Sequence, residues 1–153
     1  MNNLFPRLLD NAVRFEDARG WLAVLYESET VVLKRSFSRA GVFRGLHVQR
    51  APSPQVKLIR VIQGRIVDII VDMEDPERTI QQSELSPEDE WVRVDAGFAH
   101  GVLAMEDTVF EYVCDGGYDE SSEQAFSIAV WLEQQFGGKD LVLSNKDRNA
   151  DPL

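Results

Sequence analysis

The run from Gln55 to Asp72, QVKLIRVIQGRIVDIIVD, constrains the fold more than any other stretch of the chain. Two β-branched segments flank Gln63-Gly64, a dipeptide suited to a tight reversal, so the pattern predicts a β-hairpin. Alternation puts Lys57, Ile59 and Val61 on one face of the first strand, and Val56, Leu58, Arg60 and Ile62 on the other. In the second strand Asp68 shares a face with Ile66 and Ile70.

Short β-prone runs surround this pair: Trp21 to Tyr26, Thr30 to Ser36, Trp91 to Val94, Val102 to Met105 and Thr108 to Cys114. In the last of them Phe110 and Tyr112 point the same way. Residues 1 to 20 read as an irregular lead-in that ends in a turn at Asp17, Arg19 and Gly20. The two prolines of APSPQ demand an extended loop, and turns are expected around Pro76 and Pro87. DAGFAHG reads as a loop carrying His100. Ser121 to Phe136 reads either as an amphipathic helix or as a buried strand followed by a short helix, with Gly137-Gly138 ending it. Many short strands broken by Gly, Pro and Asp predict an all-β antiparallel sandwich or barrel. A jelly roll fits the length, with a pocket at its open end. No repeat or linker divides the chain, so one domain over residues 1 to 153 is expected.

Charge and cysteine content narrow the function classes. A formal net charge of −10 makes nucleic acid a poor partner, although a small phosphorylated ligand needs only a local cluster of cations. The single cysteine, Cys114, excludes an intrachain disulfide and suits a reducing cytoplasm. No apolar run is long enough for a signal peptide or a membrane span, so a soluble, cytoplasmic protein is expected.

The chemistry concentrates in Gly41 to Lys57, GVFRGLHVQRAPSPQVK, which carries one of only two histidines in the chain. His47 as a base, with Arg44 and Lys57 close by, suits either an acidic proton beside a carbonyl or a phosphate. No metal is expected, because His47 and His100 are the only histidines, there is no HxH pair, and Cys114 has no partner.

Six segments, FEDARGWL, GVFRGLHVQ, QVKLIRVIQGRIVDIIVD, GFAHGVL, TVFEYVCDGGY and LSNKD, resemble in order and spacing the dTDP-4-dehydrorhamnose 3,5-epimerases, from about Phe15 to Asp147. The resemblance implies a cupin-type jelly roll with a short C-terminal helical segment. It also implies a homodimer that needs no cofactor and acts on a nucleotide-diphosphate sugar. By the same resemblance His47 is the base that removes a proton next to a 4-keto group, and Asp147 is its paired carboxylate. Tyr112 acts from the opposite face of the sugar, and Lys57 lies near the developing enolate. Arg19, Arg44 and Lys146 match basic positions around the diphosphate and substrate, while His100, Tyr118 and Asp68 match pocket positions.

Epimerisation takes a proton from one face of a carbon and returns one to the other, so base and acid must face each other across the substrate. The chain departs from the family where the nucleotide base is read. Val24 replaces the usual Glu, Val32 and Lys34 replace Gln and Asn, Asp95 replaces a proline, and a Trp-Asn-Asp segment is missing. The expected substrate is therefore a nucleotide-linked 4-keto-6-deoxy sugar, with the nucleotide left open and inversion at C3, C5 or both. A sugar-nucleotide ketoisomerase and a non-catalytic sugar-nucleotide-binding jelly roll are the alternatives.

Overall fold

The computed structural model describes residues 12–137 and 140–153. It contains β1 (Val13–Asp17), β2 (Gly20–Glu27), β3 (Val31–Ser38), β4 (Phe43–Gln49), β5 (Val56–Gln63) and β6 (Ile66–Asp72). These are followed by β7 (Ile80–Leu85), β8 (Val92–Val94), β9 (Phe98–Ala104), β10 (Thr108–Asp115) and β11 (Glu123–Ser127). Helices α1 (Ala129–Phe136) and α2 (Asn145–Arg148) and the short β12 (Asp151–Pro152) complete the chain. Two six-stranded sheets, ordered β1-β2-β3-β10-β5-β8 and β12-β11-β4-β9-β6-β7, stack as a jelly-roll sandwich.

The predicted hairpin does not form. Its two strands exist, but β5 pairs with β10 and β8, while β6 pairs with β7 and β9 in the other sheet. Gly64, at φ +84°, turns the chain from one sheet into the other. A Cβ there would lie 2.5 Å from the Asp107 carbonyl oxygen, so the turn packs against the neighbouring crossover from β9 to β10. Thr108 Oγ1 accepts the Arg65 N–H at 3.2 Å, a bond that a hairpin partner would otherwise supply. The dipeptide signals a reversal, and burial on both sheets decides the partners.

That burial explains why Ile66–Asp72 is so apolar. Ile66 faces the other sheet and packs with Ile59, Val61, Leu85, Val102 and Phe110. Val67, Ile69 and Val71 point outward, where Phe43, Leu46, Leu103 and the α1 residue Leu132 cover them. A strand covered on both faces reads as a continuous hydrophobic run.

Two further expectations change, and one left open between two forms is decided. The described part of the lead-in contains β1, paired with β2 from Val13↔Val24 to Asp17↔Gly20, and residues 1–11 lie outside the described residues. FAHG of the expected loop is strand, because β9 runs from Phe98 through His100 to Ala104. The tail takes the strand-then-helix form: β11 pairs with β4, and Gly137 caps α1 through its N–H to the Glu133 carbonyl at 3.0 Å. Gly138 lies outside the described residues.

Candidate functional site

Strand alternation alone would put Arg44 and His47, three residues apart, on opposite faces of β4. The register prevents this. Arg44 pairs with Val102 and His47 with His100, so three steps on β4 match two on β9. The extra residue is a bulge that turns both side chains toward the other sheet. Gly45 sits in it at φ +134°, where an added Cβ would come 2.7 Å from both Gly101 Cα and the His100 carbonyl oxygen. Gly45→Ala is expected to cost more than about 2 kcal/mol through strain and clash. The check is a lower urea midpoint at unchanged slope.

The bulge also exposes the Gly45 N–H, which donates to Asp147 Oδ2 at 3.2 Å. The other carboxylate oxygen, Oδ1, lies 2.6 Å from His47 Nε2. Ser144 caps α2 by accepting the Asp147 N–H at 3.1 Å, and this one-turn helix aims the carboxylate at β4. Burial pushes the Asp147 carboxyl up, but hydrogen bonds and charge from His47, with the Gly45 amide, outweigh it and hold the group below the usual carboxylate range. An ionised Asp147 requires the proton on Nε2 of the neutral imidazole, which leaves the Nδ1 lone pair free to accept one.

The facing wall comes from the other sheet. Tyr112 and Cys114 on β10 alternate inward beside Lys34 on β3 and Lys57 on β5, in direct cross-strand register. The space between the walls has two lobes, of about 120 and 90 Å³, and both are bordered by His47, Lys57 and Tyr112. Phe110 stacks on the Tyr112 ring at 6.0 Å between centroids. Burial raises Tyr112 well above an ordinary phenol, which keeps its hydroxyl protonated. Burial lowers Lys57 and raises Cys114, because desolvation disfavours the charged form of each.

Arg44 borders the second lobe, anchored by its Nε–H to Ser38 Oγ at 2.9 Å. Arg19 pairs with Asp17 at 2.7 Å outside the lobes, close enough for its charge to act on Arg44 and Asp147. Tyr118 borders the first lobe, and its phenol is pushed up to about 12 by desolvation and by the neighbouring Glu123 carboxylate. Lys146 is tied to Glu123 at 3.0 Å. His100 borders the second lobe, whereas Asp68 stands behind it at 2.6 Å and borders neither lobe. Glu123, Gln49, Gln55 and Cys114 also border the first lobe, and sequence reasoning assigned none of them to the pocket. For Glu123 the signal was the β11 alternation, hidden by the helix-or-strand ambiguity of its segment.

The cleft is locally cationic, with Lys34, Lys57 and Arg44 against Glu123, in a chain of net charge −10. Among the described residues no group of three or more His, Cys, Asp or Glu could hold a metal ion, and no helix is long and apolar enough to cross a membrane. A jelly roll with an imidazole–carboxylate pair on one wall and a half-buried phenol on the other belongs to a class suited to inverting carbon centres by proton transfer.

The sequence model of the dTDP-4-dehydrorhamnose 3,5-epimerase family matches residues 8–153. A protein of that name from Methanothermobacter thermautotrophicus is 37% identical over 130 residues, covering 77% of this chain and 68% of the relative. The crystal structure of the Elizabethkingia anophelis enzyme superposes with a TM-score of 0.73 at 32% identity, covering 93% of this chain and 88% of that one. The Bacillus anthracis enzyme, solved with TDP and PPi bound, superposes with a TM-score of 0.71 at 29% identity, covering 98% of each chain. The chain belongs to the dTDP-4-dehydrorhamnose 3,5-epimerase family. It is a sugar-nucleotide epimerase, an isomerase acting on carbohydrates.

Proposed function

We propose that the protein inverts C3, C5 or both in a nucleotide-linked 4-keto-6-deoxy sugar, without a cofactor, with His47 as base and Tyr112 as acid. One observation carries this reading: the His47–Asp147 pair and Tyr112 occupy opposite walls of the same cleft. The 4-keto group acidifies the hydrogens on both neighbouring carbons. His47 Nδ1 takes one of them, charge moves onto the ketone oxygen, and Tyr112 delivers a proton to the other face. Lys57, desolvated beside Tyr112, stabilises the oxyanion most as it forms, because a dry cleft strengthens the attraction.

Arg44 and Arg19 supply cations for the diphosphate, and the TDP and PPi held by the Bacillus anthracis relative support a ligand of that chemistry. Lys146 assists through its pair with Glu123, and Tyr118 closes the first lobe. Lys34 and Val32 border that lobe in place of the family's amide side chains, so this chain reads the nucleoside side differently. Val13 and Phe15, each 60% exposed on the edge strand β1, offer an apolar rim for a second copy in a homodimer. The lone buried Cys114 suits a reducing cytoplasm.

The test is incubation in heavy water with dTDP- and UDP-linked 4-keto-6-deoxyhexoses, followed by NMR location of the label. Wild type is expected to place deuterium at C3, C5 or both and to form the epimer. Tyr112→Phe should still wash deuterium into the substrate, while epimer formation falls by about 10²–10⁴-fold. A shifted carbonyl would instead identify a ketoisomerase, and no exchange at all a binding protein.

A further inference from the structure

The epimerase mechanism above leaves one buried titratable pair unused. His100 Nε2 lies 2.6 Å from Asp68 Oδ1, with the two side chains only 9% and 6% exposed. His100 is the cross-strand partner of His47, which places their α-carbons about 5 Å apart. Its ring borders the cleft. Asp68, behind it, borders a separate groove of about 150 Å³ with Gln82, Ser83 and Arg93. That groove lies where the edge strands β7 and β8 of the two sheets part, and Ser83 is the direct partner of Asp68 across β6 and β7. The pair therefore spans the wall from the cleft to an opening on the far side.

Proton bookkeeping shows what such a link can do. Each inversion leaves His47 with one proton too many and Tyr112 with one too few. Burial makes the Tyr112 phenolate costly, so the enzyme must reset before it acts again. A sugar nucleotide filling both lobes would stand across the direct way out.

We propose that His100 and Asp68 form a rear proton relay between the cleft and solvent, an inference that rests on the epimerase reading. The proton on His47 Nδ1 passes through a water of the cleft to His100 Nδ1. His100 releases the proton on Nε2 to Asp68 Oδ1, and Asp68 gives it to water in the groove. The chain then runs inward once: groove water reprotonates Asp68, Asp68 returns a proton to Nε2, and the Nδ1 proton passes through cleft water to the Tyr112 phenolate, which restores the first tautomer. No electrons move, and the proton count closes over the cycle.

The experiment compares wild type, Asp68→Asn and Ser83→Trp on a dTDP-linked 4-keto-6-deoxyhexose at low buffer concentration, with and without added imidazole or formate. Ser83 is exposed on an edge strand, so its replacement obstructs the groove without entering the core. For Asp68→Asn, kcat should fall about tenfold or more at unchanged KM, and small buffers should restore it. Ser83→Trp should lower kcat at unchanged KM while resisting rescue. Unchanged kcat in Ser83→Trp, or a loss in Asp68→Asn that small buffers leave untouched, overturns the relay. If Asp68→Asn fails to fold, the Ser83→Trp kcat decides alone. A wild-type enzyme that neither exchanges solvent hydrogen nor epimerises overturns the epimerase reading, and the relay with it.

Discussion

His47→Asn is expected to abolish deuterium incorporation at C3 and C5, with turnover falling by at least about 10³-fold. The amide of Asn has no lone pair basic enough to take a proton from carbon. His100 borders the same lobe with its own carboxylate partner, Asp68, and its part in the cycle is to pass the proton on rather than to take it from carbon. Substrate affinity should change little, because His47 is 30% exposed on the cleft wall and the cations Arg44, Lys34 and Lys57 remain. The measurement is heavy-water exchange followed by NMR beside a binding titration. Exchange at the wild-type rate would show that another group is the base.

Asp147→Asn is expected to lower turnover by about 10²-fold or more and to weaken the fold as well. An Asn amide can donate to His47 Nε2, which shifts the imidazole proton to Nδ1, the nitrogen that must accept one from the sugar. The side chain is 2% exposed, and its oxygens bind both His47 and the Gly45 N–H, so replacement disturbs the bulge that aims the base. The same carboxylate makes stability depend on pH. Its folded pKa is depressed below 3.8, so its stabilising contribution is complete above that value and is lost as pH falls through the folded pKa. Wild type should therefore lose more stability than Asp147→Asn between about pH 4 and pH 2. Parallel urea titrations across that window check it, and equal slopes for the two proteins would contradict the assignment.

Local pattern carried much of this architecture. The alternation in Gln55 to Asp72 placed Lys57, Ile59 and Val61 on one face, and all three do turn inward. Phe110 and Tyr112 share a face, as their spacing required. The Gln63-Gly64 reversal was visible too, but its pairing was not. Pairing depends on which apolar faces can be buried together, and strand β6 needed cover on both sides. Glu123 escaped because a five-residue strand leading into a helix carries too few alternations to separate period 2 from period 3.6.

The sequence by itself determined strands β2, β3, β5, β6, β8 and β10, the inward set on β5 and β10, and the residue types of an acid–base cleft. Side-chain alternation and turn chemistry are properties of neighbouring residues, so they can be read along the chain. Only the tertiary structure decided that Arg44 and His47 share a face, that Asp147 arrives from α2 to hold the imidazole, and that Asp68 stands behind His100. The separations within those hydrogen-bonded pairs, 100 residues for His47–Asp147 and 32 for His100–Asp68, explain why. No local rule links groups so far apart in the chain; the register of β4 on β9 and the packing of the tail bring them together.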